Sequence, residues 1–272
     1  MQNQGTNILT LFRSVVRHWE LILQLTKRNV IGKYRGSILG LFWSFFNPLI
    51  MLGVYTFAFG VVFQAKWGIE NETKLDFALV LFASLIVFNL FGEIVKESPS
   101  LIVSNASYVK KVIFPLEILP IVSLLSSIFH AFISFGVLFI FYGLYHFYIH
   151  WTFVFLPIVL FPLILMSLAV SYFLASIGVF IRDLGYIIGH IITVILFVSP
   201  VFYSIERIPP LFQKFMIFNP LAYLLEDARS VFLFGQFPNW QNTIIASIFG
   251  FVLLCTGFWF FQKTRKTFAD FV

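Results

Sequence analysis

Long apolar runs dominate the chain from about residue 37 onward, whereas residues 8–28 mix apolar and polar positions with a helical period. On a helical wheel, Ile8, Leu11, Phe12, Val15, Val16, Trp19, Ile22 and Leu23 fill one side. Thr10, Arg13, Ser14, Arg17, Glu20, Gln24, Lys27 and Arg28 fill the other. This predicts an amphipathic helix with a basic polar face, the pattern of a helix lying in a membrane interface.

A helix needs roughly 20 apolar residues to cross about 30 Å of hydrocarbon. Runs of that kind lie near 37–63, 77–95, 115–142, 153–181, 186–204 and 243–261, which predicts an all-α membrane protein with six transmembrane helices. The third and fourth runs are long and should tilt, bend or project, and Pro157 and Pro162 predict a bend in the fourth. The segment 205–240 differs from the rest. It holds two half-length apolar stretches divided by Asn219-Pro220, together with Glu206, Arg207, Lys214, Glu226, Asp227 and Arg229. We read it as a re-entrant helix pair, since irregular backbone at membrane depth survives only beside protein or water.

Composition agrees with a membrane solvent: 60% of residues are hydrophobic and only 11% charged, against roughly a quarter charged in soluble domains. The formal charge of +6 does not call for nucleic acid, because the basic residues fall in loops. Thirteen of the eighteen Lys and Arg lie in 1–36, in 96–114, at Arg182 and after 261. With six spans these share one side, so the positive-inside rule makes both termini cytoplasmic. A seventh span in 205–240 would move Lys263, Arg265 and Lys266 outside. No signal peptide is expected at the start, and the chain divides into a cytoplasmic interfacial segment, 1–36, and a transmembrane domain, 37–272. Cys255 is the only cysteine, which excludes an intrachain disulfide.

The motifs of enzymes are missing: the sequence has no phosphate loop, no HExxH helix, no CxxC pair and no GxSxG elbow. Energy for any work must come from another chain. Small or polar residues form stripes at Gly36, Gly40, Ser44, Asn47, Met51 and Tyr55, at Ser167, Ser171, Ala175 and Gly178, and at Gly185 and Gly189. They fit either packing within one subunit or a dimer interface or channel wall. Asn47, Glu117, His130, Asp183 and His190 are polar groups at membrane depth, and each asks for a partner. Asp183 reads as a cap on the following helix or as a hinge contact. In the loop 96–114, Asn105 is placed to cap a short helix ending before Pro115, presenting Tyr108, Lys110 and Lys111. Aromatic faces can stack on sugar rings, and Trp43, Phe46, Tyr55, Phe59, Phe202 and Tyr203 are the candidates to line a permeation path.

Taken in order, these pieces resemble the permease subunits of type-2 ABC exporters, in the branch that exports O-antigen, capsule or teichoic-acid polymers. The resemblance rests on Lys33-Tyr-Arg-Gly-Ser-Ile-Leu-Gly-Leu-Phe-Trp43 running to Asn47-Pro48, on Asn105 to Pro120 and on Ile181-Arg-Asp-Leu184. Ser199-Pro-Val-Phe202, Asn219-Pro-Leu-Ala-Tyr223 with Arg229, and Phe268-Ala-Asp-Phe271 complete it. It implies a homodimer in the bacterial inner membrane, bound to two copies of a cytoplasmic ATPase that carries the ATP and Mg, with no cofactor on this chain. It implies a channel between the two copies, lined by the first and fifth spans and gated by Glu206, Arg207, Asn219, Pro220, Glu226 and Arg229. Motion would be received through Asn105, Tyr108, Lys110 and Lys111, and through Arg13, Arg17 and Glu20 of the amphipathic helix. The substrate would be a lipid-linked polysaccharide, with Lys27, Arg28, Lys33 and Arg35 placed to attract its pyrophosphate; the orientation rule accounts for the same four cations. A drug or small-lipid exporter of the same superfamily, a membrane glycosyl- or acyltransferase, and a passive channel are the alternatives.

Overall fold

A computed structural model describes residues 7–64, 67–68, 73–109, 114–216 and 219–271, and among these every regular element is helical. The chain opens with α1 (Ile8–Arg17) and α2 (Trp19–Lys33), so the single helix expected over 8–28 is broken at His18. There the imidazole Nδ1 lies 2.9 Å from the Ser14 carbonyl oxygen, and the His18 backbone leaves helical geometry. The apolar side of the wheel also divides. Leu11 and Ile22 are buried in the bundle with Ile8 and Val15 packed beside them, whereas Phe12, Val16, Trp19 and Leu23 stay exposed.

Gly36 and Gly40, both with positive φ, turn the chain into α3 (Trp43–Tyr55), which passes through Pro48 and continues as a π-helix over Thr56–Val62. α4 (Lys74–Glu97) begins with a capping box: the Thr73 hydroxyl accepts from the Asp76 backbone N–H while the Asp76 carboxylate accepts from that of Thr73. Almost every side chain of α4 from Phe77 to Val95 is buried. A helix that is apolar all round belongs at the centre of a bundle, and α3, α6, α7, α8 and α10, placed below, all pack against α4.

The four-residue helix α5 (Ala106–Val109) precedes α6 (Leu119–His146) and α7 (Leu156–Phe180). Pro157 falls in the first turn of α7, where a missing N–H leaves no bond broken, and the helix runs on through Pro162. α8 (Leu184–Val198) is shorter than the fifth span expected at 186–204. Its fifteen residues rise roughly 22 Å, less than the hydrocarbon thickness. The cause is local: Ser199, ahead of Pro200, is extended, as the residue before a proline prefers. Five helices among the described residues are long and apolar enough to cross a membrane: Gly40–Val62, Leu75–Ser100, Leu116–His146, Trp151–Phe180 and Trp240–Phe271.

Two short helices follow α8, namely α9 (Pro210–Met216) and α10 (Pro220–Phe232), in the stretch where a helix pair was expected. Asn219 caps α10, its Oδ1 accepting from the Leu221 N–H at 3.1 Å, with Pro220 at the position that needs no donor. α11 (Trp240–Thr264) lies along α7, and α12 (Phe268–Phe271) ends the described chain. Small residues set the closest approaches. A Cβ on Gly178 would stand 2.0 Å from the Pro99 carbonyl oxygen, and one on Gly257 2.7 Å from that of Ala169. The stripe at Ser167, Ser171, Ala175 and Gly178 is therefore packing within the subunit, joined by a 2.7 Å hydrogen bond from Ser98 to Ser171. Gly185 and Gly189 on α8 face open space.

Candidate functional site

Three of the polar assemblies among the described residues gather the expected site residues. The first ties together α1, the residues 114–118 ahead of α6 and Arg265, just past the end of α11. Glu117 is only 2% exposed, yet its carboxylate is fully engaged. Ser14 of α1 donates to Oε1 at 2.8 Å, and Arg265 Nη1 donates to Oε2 at 2.6 Å. Arg265 Nη2 reaches the Phe114 carbonyl oxygen, and the Tyr172 hydroxyl of α7 donates to the Glu117 carbonyl at 2.8 Å. Phe114 stacks on Tyr108 with centroids 4.3 Å apart, and Arg28 Nη1 donates to the Tyr108 hydroxyl at 2.5 Å. The partner that Glu117 demanded at membrane depth is thus Arg265. The charge pair also holds three chain segments in register.

The second assembly is a cavity of about 340 Å³ between α3, α4 and α6, closed at one end by Lys33 and Tyr34. Lys33 Nζ lies 3.5 Å from Glu93 and 3.4 Å from Glu97. Partial burial pulls the ammonium's pKa down, but the two carboxylates outweigh it and hold the pKa above its ordinary value. The Tyr34 hydroxyl is 3.4 Å from His130 Nδ1. Asn47, Ser44, Met51 and Tyr55 of α3 line the same space, so the first stripe of small and polar residues forms a cavity wall along much of its length.

The third assembly lies where α10 meets α4 and the bend after α8. Arg229 is completely buried, with its guanidinium donating to Ser84 Oγ at 2.9 Å, to the Pro200 carbonyl at 2.7 Å and to Glu226 Oε2 at 2.6 Å. The Trp67 ring covers it, with Cζ 4.7 Å from the centroid. Next to it, Asp227 accepts from the Asn239 N–H and from the Thr243 hydroxyl, fastening the start of α11. The Asn219 amide donates to Ser199 Oγ at 3.0 Å. Arg207, in the turn Ile205–Arg207, lies against Gly68, and Glu206 offers its carbonyl to Gln213.

The expected channel aromatics separate into groups. Phe59 and Phe202 stack at 5.8 Å, extended by Phe197 and Phe77. Trp43 bonds to Ser37 and Phe46 stays exposed, both at the opposite end of α3. Tyr55 faces the cavity, and the Tyr203 hydroxyl returns to the Val198 carbonyl. Among the expected coupling residues, Arg13, Arg17 and Glu20 are exposed on α1 and α2. Lys110 and Lys111 lie outside the described residues. Asn105 does precede α5, but its amide donates back to the Leu101 carbonyl at 2.9 Å, closing the turn before the helix. Of the four cations assigned to pyrophosphate, Arg28 is joined to Tyr108 and Lys33 to the two glutamates, while Lys27 and Arg35 are exposed. Asp183 occupies the cap position of α8 through its backbone, without a side-chain cap bond.

Sequence reasoning passed over Glu93, Glu97, Ser84, Asn89, Ser127 and Arg265. Glu93 and Glu97 carried a signal, since carboxylates four apart share one helical face at the end of an otherwise apolar run. The buried serines carried none.

Residues 20–233 match the family described as ABC-2 type transporter. The chain is 26% identical over 265 residues to an O-antigen export system permease protein RfbA of Myxococcus xanthus, covering 97% of this chain and 99% of the relative. Two proteins of that name from Klebsiella pneumoniae are 26% and 25% identical over 254 and 253 residues, each covering 93% of this chain and 95% of the relative.

Proposed function

Because the chain belongs to the ABC-2 type transporter family, we propose that it is the membrane-spanning permease subunit of an ATP-driven exporter that carries a lipid-linked polysaccharide across the bacterial inner membrane. The observation that carries this reading is the likeness to three O-antigen export permeases over nearly the whole of both chains. The chain works as a homodimer with two copies of a separate ATPase, which holds the ATP and Mg.

Physical features of the chain support the assembly. α3 and α8 leave long rows of large apolar side chains exposed, among them Ile50, Met51 and Val54 on one and Ile187, Val194 and Phe197 on the other. The first and fifth spans are where a second copy would meet the first, and α8 acts as the fifth of six spans although it is short. The Glu117 joint fits the transmission of a push. Motion delivered to α1 reaches α7 and the end of α11 through hydrogen bonds to Glu117, and α5 joins them through Tyr108, which stacks on Phe114 and accepts from Arg28 of α2. The charge asymmetry supports a cytoplasmic position for this end. The exposed Phe12, Val16, Trp19 and Leu23 then enter the inner interface. At the opposite end α9 and α10 form the re-entrant pair, with Arg229 fixing α10 beside the outer mouth.

The test is purification of the tagged chain in mild detergent, followed by ATPase assay of the eluate and by staining for surface polymer in cells deleted for the chain. An ATPase recovered in equal amounts, active in the complex, and loss of surface polymer on deletion are the expected results. Recovery of an ATPase with unchanged surface polymer moves the chain to the drug or small-lipid branch. Recovery of the chain alone, without nucleotide hydrolysis, overturns the exporter.

A further inference from the structure

We infer that the cavity between α3, α4 and α6 is a binding site for a neutral, hydroxyl-bearing ring, a single sugar unit, held by Asn47, Asn89, Glu93, Ser127 and His130 beside the Tyr34 ring. The inference deepens the exporter reading and rests on it, since it names a subsite for the carbohydrate part of the cargo inside each protomer.

Unanswered hydrogen bonding comes first. Buried polar atoms in folded proteins nearly always have a partner. Here three side-chain atoms buried around one cavity have none: Ser127 Oγ, His130 Nε2 and Glu93 Oε2. Ser127 is 2% exposed, so bulk solvent does not serve it. Glu93 Oε2 does lie 3.5 Å from Lys33 Nζ, a charge contact too long to use up its lone pairs. The cavity volume, about 340 Å³, falls at the small end of ligand pockets, which run from about 300 to 1,000 Å³.

Charge then narrows the ligand class. An anion would look to Lys33, but that ammonium already stands between Glu93 and Glu97. A cationic head group would have to sit beside the same ammonium. What remains is a neutral group that both donates and accepts. A carboxylate, two primary amides, a serine hydroxyl and an imidazole offer that mixture, and a hydroxylated ring returns it. Tyr34, with Tyr55 further along the wall, adds aromatic surface against which the C–H face of such a ring can lie. Access follows from α3: Ser44 is buried while Asn47 and Met51, on the same stripe, are exposed, so the cavity opens along this lightly packed helix.

The experiment uses the full chain with its partner ATPase in nanodiscs and two photoreactive probes. One is a decyl glucoside carrying a diazirine at the sugar, and the other is the matching sugarless alcohol. Labelled peptides are mapped by mass spectrometry. The glucoside is expected to label residues 44–55, 86–93 and 127–134, with excess unmodified decyl glucoside competing. Removing one ligand partner through Asn89→Leu or Ser127→Val should cut that labelling about tenfold, the equivalent of one lost hydrogen bond. Asn89→Leu and Asn47→Leu, both at exposed positions, serve if the buried Ser127 variant fails to purify. Glucoside labelling that matches the sugarless probe, or is indifferent to these variants, overturns the site and leaves a cavity that holds water only. The failures are separable: cells lacking the chain but retaining surface polymer sink the polysaccharide reading on which the subsite rests, whereas loss of polymer on deletion with unlocalised labelling sinks only the subsite.

Discussion

A single guanidinium, Arg229, is the most demanding residue in the molecule, being wholly buried and bonded to three separate acceptors. Its carboxylate partner, Glu226, remains partly open to solvent and can rehydrate. Truncation to Met should therefore cost about 3 kcal/mol, the lower part of the range for breaking a buried pair. Arg229→Lys should recover little of this, because one ammonium cannot reproduce the fork that reaches Ser84, Pro200 and Glu226 together. Thermal unfolding in detergent measures both, and a melting point unchanged in Arg229→Met would contradict this account. Gly178 makes the opposite kind of demand. Its missing Cβ would overlap the Pro99 carbonyl, so Gly178→Ala should destabilise by roughly 1–3 kcal/mol. At this scale the sequence was only half legible. Glu117 and His130 announce themselves as polar groups in apolar runs, but the partner of Glu117 lies 148 positions away, and no periodicity names it.

Helices were read more readily than their ends. Five of the expected spans correspond to long apolar helices, because runs of that length are set by composition alone. α8 stops early because of the Ser199-Pro200 step, which the resemblance to a family motif had used for recognition and not for geometry. The break between α1 and α2 depends on one imidazole contact, and the π-helical turn at Thr56–Val62 carries no signal in the hydrophobic period. Between elements, Glu117→Gln should loosen α1 from α11 by weakening the bonds to Ser14 and Arg265. The expected result is uncoupling, with ATP hydrolysis by the complex retained and export falling several-fold; export at the wild-type level would remove the joint from the transmission route. The link from α2 to α4 should ignore physiological pH. Lys33 has a raised pKa in the fold, so its stabilising contribution is complete below the ordinary lysine pKa and is lost only as pH rises through the raised value. The stability gap between wild type and Lys33→Met should therefore be equal at about pH 6 and about pH 8 and should close only under strong alkali.

Taken whole, the molecule is lopsided. α4 is buried along almost all of its length, whereas α3 and α8 carry rows of exposed large apolar residues. Exposed apolar surface on a membrane protein satisfies lipid as well as protein, so cross-linking is the direct test of pairing. With Cys255→Ser as background, Ile187→Cys on α8 should form a disulfide-linked dimer in native membranes, while Phe249→Cys on the exposed face of α11 should not. Equal cross-linking at both positions would mean random collision and no defined interface. The lopsidedness was partly visible beforehand in the stripe from Ser44 to Tyr55. What it lines, a cavity within one subunit, became visible only once α6 was in place beside it.

The burial of α4 also bears on how the protein is made. This helix leaves the ribosome before α6, α7 and α10, which bring many of the side chains that enclose it. Ser84 meets Arg229 across 145 residues of sequence. At synthesis rates of roughly 5–20 residues per second, that interval lasts about 7–30 s. Until it ends α4 lacks the cover of α10, and its serine has no guanidinium to answer. A newborn chain in this state is what a membrane protease would see first. Mutations in α10, the last of these to emerge, should then shorten the lifetime of the whole polypeptide in the cell before they alter any property of the assembled transporter.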